Sequence, residues 1–255
     1  MNGSCHELPA GALGLIGRKI LKSNLEEVIA VFISDKNVMT TPNYFFRKEK
    51  FILDDSSGCI SNSFLNLSKD EWYTIPNVQR NRAFARFERV DGLWTLLSDQ
   101  RFFQSEKINS YNGGFQREFQ AIDKRLIESG VLQKIGEEQA SMMGLKDIPM
   151  LVNVHQMQIV AIGAGASCQA TPEGIHRDGH DYVSIVFWRR ENVVGGISRV
   201  YNEALECNAE FELDEAGEAI LINDRIGYHE VTSFHAKDLN KAASREVFVF
   251  DWNEL

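Results

Sequence analysis

The sequence predicts a mainly β chain with flanking helices, and three observations carry that expectation. From Leu151 onward, short segments rich in Val, Ile, Phe and Tyr are separated by Gly, Asn and Asp, which suits an antiparallel β-architecture. Upstream, apolar residues recur at helical steps instead. The final stretch, Arg245-Glu246-Val247-Phe248-Val249-Phe250, is a short apolar run typical of a sandwich strand. Together they fit a double-sheet jelly roll, a cupin-like double-stranded β-helix with helices packed on one outer face.

Taken in chain order, Ser23-Asn24-Leu25-Glu26 reads as a capping box before Val28-Ile29-Ala30-Val31-Phe32, so a first helix is expected near 23–34. Residues Arg80 to Phe87 alternate in a way that puts Arg80, Arg82 and Arg86 on one face of an extended segment. An exposed basic face and a clamp for a substrate carboxylate both account for that pattern. A second helical pattern covers roughly 116–144, where Phe119, Ile122, Leu126, Ile127 and Leu132 recur among charges and Gly130 splits the run. Strands are expected at 151–162, 182–189, 196–201, 208–213, 218–223, 228–232 and 246–251. No internal repeat or low-complexity segment interrupts them. The expected organisation is one domain over 1–255, with a helical elaboration over about 1–70 and a jelly-roll core over about 75–252.

At 255 residues and 44% hydrophobic content the chain can bury a sizeable core. A formal charge of -9 and a pI near 5.2 argue against a nucleic-acid surface and favour small-molecule business. Cys5, Cys59, Cys168 and Cys207 are scattered, with no C-x-x-C pair, so reduced thiols in a cytoplasm are expected. Ala10 to Ile16 is apolar but short and Gly-rich, neither a signal peptide nor a membrane span.

The chemistry-bearing constellation is His176-Arg177-Asp178, followed 51 residues after Asp178 by His229 and 16 further on by Arg245. An imidazole and a carboxylate two residues apart can point to one side of an extended segment. A distant second imidazole then completes one face of an octahedral metal, leaving the opposite face open. This donor set suits ferrous iron, and the lack of a nearby thiolate argues against a closed structural zinc site. His180 and Asp181 could form a shifted pair, but Gly179 separates them from Asp178, and His180 reads as a rim residue. His235 competes with His229 as the distal ligand. Its neighbours Ser233, Phe234, Ala236 and Lys237 read as a mobile loop, whereas Tyr228-His229-Glu230-Val231-Thr232 reads as a strand, so His229 is preferred. His155 reads as a satisfied core or pocket-lining histidine. Arg245 enters a buried-looking strand and needs an anion, either a ligand carboxylate or an acid such as Glu246.

These residues and their neighbours resemble the iron- and 2-oxoglutarate-dependent dioxygenases that include bacterial L-isoleucine 4-hydroxylase. The similar motifs are Ile175-His176-Arg177-Asp178, Gly195-Gly196 with Asn202, Tyr228-His229-Glu230-Val231-Thr232, and Arg245 to Phe250. Val154-His155-Gln156, Gln104-Ser105, Tyr111-Asn112-Gly113-Gly114 and Arg117 also look similar, giving coverage of about 75–252. The resemblance implies that His176, Asp178 and His229 hold Fe(II) and that Arg245 binds the distal carboxylate of 2-oxoglutarate. It further implies hydroxylation of a free aliphatic L-amino acid by O2, with release of succinate and CO2. Related halogenases lack the carboxylate that Asp178 supplies, so its presence points to hydroxylation. Arg80, Arg82, Arg86, Tyr111, Arg117 and His155 are the candidate substrate residues, with Tyr111 and Asn112 on a lid. Sulfoxidation or desaturation on the same iron, and a cupin-like metal or small-molecule binding module without turnover, remain alternatives.

Overall fold

The computed structural model describes residues 45–162 and 166–255, and the fold below belongs to the unit Tyr44–Leu255. The helix expected near 23–34 lies outside the described residues. The main sheet has the strand order Phe46–Lys50, Glu218–Asn223, Tyr182–Glu191, Ala243–Glu254, Met150–Ala161, Val78–Val90 and Leu93–Leu96. Its path is antiparallel throughout, and Gln120–Ala121 adds a short parallel pairing to Val78–Val90. Opposite it stand two three-stranded pieces. One joins Val193–Gly195, Phe234–Ala236 and Ser167–Cys168; the other joins Cys207–Phe211, Ser198–Tyr201 and Tyr228–Val231. The expected jelly roll is the fold observed.

Alternation along the central strands explains how one sheet serves both a core and a cleft. In Ala243–Glu254, Phe248, Phe250 and Trp252 point to the helices and pack with Ile60, Phe64, Leu126, Leu132 and Ile135. Arg245, Val247, Val249 and Asp251 point the other way and line a cleft between the sheets. Met150–Ala161 repeats the division, with Val152 and Val154 in the core and His155, Met157 and Ile159 on the cleft. The helical layer is fixed by polar contacts as well: Gln139 Oε1 accepts from Ser184 Oγ at 2.6 Å and from Trp252 Nε1 at 3.2 Å.

Several boundaries differ from expectation. The helical pattern over 116–144 begins late, because Gln116–Arg117 and Gln120–Ala121 are short strands and Asp123 caps the helix Lys124–Glu128 through the Arg125 amide. Gly130 does split the run, adopting φ 75° ahead of the helix Val131–Met142. The first 70 residues are not all helical elaboration. Phe46–Lys50 is an edge strand whose charged alternation hides it in the sequence, and its pairing with Glu218–Asn223 is what makes it extended. Within that span, Cys59–Leu65 is helical.

Candidate metal centre

His176 and His229 face each other across an isolated antiparallel bridge, each amide donating to the other's carbonyl, at 3.0 and 2.9 Å. Their rings are 4.4 Å apart between centroids. The His176 Nδ1 proton goes to the Gly174 carbonyl at 2.9 Å, which leaves the Nε2 lone pair turned toward Asp178, 3.7 Å from Oδ1. His229 Nε2 lies 3.3 Å from Asp178 Oδ2. One ligand atom from each of these three residues falls within 4.8 Å of the others, an arrangement that can hold a single ion. The set of two imidazoles and one carboxylate fits ferrous iron, with the cleft side left open. Burial works to raise the Asp178 pKa, but the His229 hydrogen bond and the two imidazole charges outweigh it and hold the carboxylate low.

The turn that carries Asp178 is held from below by a residue that sequence reasoning missed. Asp224 is buried, and its carboxylate accepts from the backbone amides of Asp178, Gly179 and His180 at 3.2, 2.7 and 3.0 Å. These bonds pin the backbone at Asp178 and over the two residues that follow it. Burial and the nearby Asp178 charge raise the pKa of Asp224. No local motif announces this role, because its partners lie 44 to 46 residues away.

His180 is not at the rim. Its side chain is 9% exposed, with Nε2 3.3 Å from Asp251 Oδ2, the oxygen that also accepts from His155 Nε2 at 2.8 Å. His155 takes a guanidinium of Arg82 on its other nitrogen, with Nη2 to Nδ1 2.7 Å. A guanidinium only donates, so the His155 proton sits on Nε2. Burial and the Arg82 charge lower its pKa to about 4. Segment 233–237 is also not a free loop, since Phe234–Ala236 is a strand paired on both sides. His235 is exposed there and stands outside the three-residue cluster.

Arg245 lies on the same cleft at 3% exposure, on the strand next to His155. Among the described residues it has no ion-pair partner, and its polar contact is Ser198 Oγ at 3.4 Å. Glu246, the acid expected to compete for it, faces the opposite side and binds Arg189 and Gln158. Burial, with the neighbouring Arg190 charge, lowers the Arg245 pKa to about 10. Gly196 lies beside it at φ 72°, in the left-handed region that favours glycine.

The upstream arginines share a face as alternation predicts, but that face is not an exposed basic one. Arg80 is buried and paired with Asp70 at 2.7 Å, over the Tyr73 ring. Arg82 and Arg117 are buried and line the cleft. Arg86 lies beyond the cleft lining, donating to Asn153 Oδ1 at 2.9 Å. Tyr111 is also away from that lining, half exposed with its hydroxyl 3.2 Å from Thr74 Oγ1. The Asn112-Gly113-Gly114 stretch is a tight turn, since a Cβ on Gly113 would fall 2.4 Å from the Asn109 and Ser105 carbonyl oxygens.

A family model described as 2OG-Fe dioxygenase matches residues 61–251. The match begins earlier than the motifs suggested and takes in the helix Cys59–Leu65 almost entirely. Among solved structures, the chain is similar to a bsmA homolog from Methylobium petroleophilum PM1, at 25% identity and TM-score 0.64, covering 78% of this chain and 81% of that one. IDO from Bacillus thuringiensis has the same fold at 17% identity and TM-score 0.66, covering 92% and 98%. The Fe(II)/(alpha)ketoglutarate-dependent dioxygenase TqaL gives 14% identity and TM-score 0.51 over 77% and 73%. No curated protein matches the chain. No helix among the described residues is long and apolar enough to cross a membrane.

Proposed function

This chain belongs to the 2OG-Fe dioxygenase family, which uses Fe(II) and 2-oxoglutarate, and from that premise we propose that it hydroxylates an unactivated carbon of a free aliphatic L-amino acid. In this reading His176, Asp178 and His229 hold the iron and Arg245 binds the distal carboxylate of 2-oxoglutarate. The observation that carries it is the buried Arg245, without an acidic partner among the described residues, on the same cleft as the three-residue cluster. A buried guanidinium left unpaired is costly, so its retention is accounted for by an anion that arrives with the ligand.

When bound, iron and 2-oxoglutarate supply the oxidising chemistry, with O2 consumed, succinate and CO2 released, and one oxygen atom placed on the substrate. The chain's own residues orient and enclose. His176 presents Nε2 because Gly174 holds its other nitrogen, and Asp224 fixes the turn that aims Asp178. Met157, Ile159, Ile185, Val247 and Val249 give the cleft apolar walls, which suit an aliphatic side chain. The cationic groups on the same cleft suit a free carboxylate rather than a peptide amide.

The test is to supply the ferrous protein with 2-oxoglutarate, oxygen and a pool of free amino acids. Succinate release, oxygen uptake and a product heavier by one oxygen are expected. Absence of all three would leave a metal or small-molecule binding protein. A methionine sulfoxide or a product short of two hydrogens would keep the iron chemistry and replace hydroxylation.

A further inference from the structure

Four arginines upstream of the metal cluster look interchangeable in the sequence, and the structure separates them by what each already holds. Arg80 is satisfied by Asp70, with Nε and Nη2 at 2.8 and 2.7 Å from one oxygen. Arg86 is satisfied by Asn153 outside the cleft lining. Arg82 reaches Asp70 only at 4.0 Å and spends its closer contacts on the neutral His155 ring. Arg117 has 1% exposure, donates Nη2 to the Gln104 amide oxygen at 2.7 Å, and has no partner for its buried Nε among the described residues.

Arg82 and Arg117 are held by the same two rings. Their guanidinium carbons lie 5.2 and 5.0 Å from the Phe102 centroid, and 4.1 and 6.0 Å from that of Phe119. Around them one carboxylate, Asp70, is taken by Arg80, reaches Arg82 only at 4.0 Å and makes no ion pair with Arg117. The other acids on the cleft do not restore the balance. Asp251 is engaged by His155 and His180, Asp178 belongs to the metal cluster, and Glu173 makes no ion pair with either arginine. Gln104 ties this cationic wall to the cluster, because the amide that accepts from Arg117 also donates to the Asp178 carbonyl at 3.0 Å. Arg117 is therefore two hydrogen bonds from the backbone of Asp178.

The geometry points to Arg82 and Arg117 as a second anion subsite, separate from Arg245, that takes the carboxylate of the substrate. This rests on the dioxygenase reading above and deepens it. Planar forks stacked on rings are pre-organised for a carboxylate, and a substrate without one leaves two buried cations uncompensated. Selection for a free acid over its amide follows from that charge surplus.

Two measurements test the subsite. The first is the melting temperature of the ligand-free protein carrying Arg117→Gln. Removing a buried charge that has no acidic partner among the described residues should raise it, while Asn109 Nδ2, 3.2 Å away, still donates to the Gln104 oxygen. A lower melting temperature would make Arg117 a structural residue and overturn the proposal. The second uses anaerobic protein loaded with ferrous iron and 2-oxoglutarate, so that Arg245 is occupied, titrated with valine, leucine, isoleucine, methionine and the amide of each. The free acid should bind about ten- to a hundredfold more tightly than its amide in the parent, the worth of one charge-assisted hydrogen bond. Arg117→Gln and Arg82→Lys should narrow that preference. Equal binding of acid and amide by the parent would also overturn the subsite. If the ferrous protein forms no chelate with 2-oxoglutarate, the dioxygenase reading fails and the melting measurement still judges the subsite. If no amino acid binds, the melting measurement decides alone.

Discussion

The two faces of the strand Ala243–Glu254 perform different work with alternate residues of one segment. On the helix side, Phe248, Phe250 and Trp252 are fully buried in the largest apolar cluster. On the cleft side, Arg245 and Asp251 are just as buried and carry charge. The difference shows where this fold invests stability and where it accepts destabilisation for chemistry. Apolar burial at about 1.5–3 kcal/mol for each large side chain offsets the cost of charged groups held on the other face.

That contrast breaks if a residue of the cleft side proves structural or one of the helix side proves chemical. The largest effect is expected at the metal cluster: His229→Ala should abolish turnover and ferrous binding while the fold persists, measured by succinate release, iron titration and circular dichroism. His235→Ala should leave all three unchanged, and the reverse result would move the ligand. Next comes Phe248→Ala, which should cost roughly 3–5 kcal/mol of stability, read by denaturant unfolding, with 2-oxoglutarate affinity preserved in the protein that remains folded.

Arg245→Ala should show the opposite pattern. A charge-assisted contact contributes about 1.5–3 kcal/mol, so 2-oxoglutarate affinity should fall about ten- to a hundredfold, with no loss of stability in the ligand-free protein. Arg245→Lys keeps charge without the fork and should fall between. The titration follows the absorbance of the chelate in anaerobic ferrous protein, and tight binding by Arg245→Ala would give Arg245 a structural role instead.

The smallest effect concerns pH. Burial and the Arg82 charge depress the His155 pKa to about 4 from an ordinary value near 6.5. The unfolded chain therefore binds the proton first, so this contribution is complete above about 6.5 and is lost as pH falls toward about 4. Urea unfolding between those limits should show a decline that is shallower in His155→Gln. An equal slope in parent and variant would remove His155 as the source.

Much of the fold was legible because strand alternation is local. Expected strands at 218–223 and 228–232 match Glu218–Asn223 and Tyr228–Val231 to within a residue, and the split at Gly130 follows from the freedom of glycine at positive φ. Less legible were segments whose state depends on a neighbour. Phe46–Lys50 lacks an apolar pattern and becomes a strand by pairing. Residues 116–121 carry helical spacing yet pair with Phe102–Phe103 and Val78–Val90. His180 looked peripheral because Asp251, which receives it, is 71 positions further along the chain.

By itself the sequence determined the class of architecture, the order of the two imidazoles and the carboxylate, and the alternation that sends Arg80, Arg82, Arg245 and Asp251 to one side of their strands. Those follow from covalent spacing and the two-residue period of extended backbone. Tertiary structure alone decided which guanidiniums already have partners. Asp70 claims Arg80, Asn153 claims Arg86, and no acid pairs with Arg245 among the described residues. It also decided that Asp224 and Gln104 brace the turn bearing Asp178. A charge's cost depends on burial and on the groups within a few ångströms, and most of those groups come from distant parts of the chain that only folding brings together.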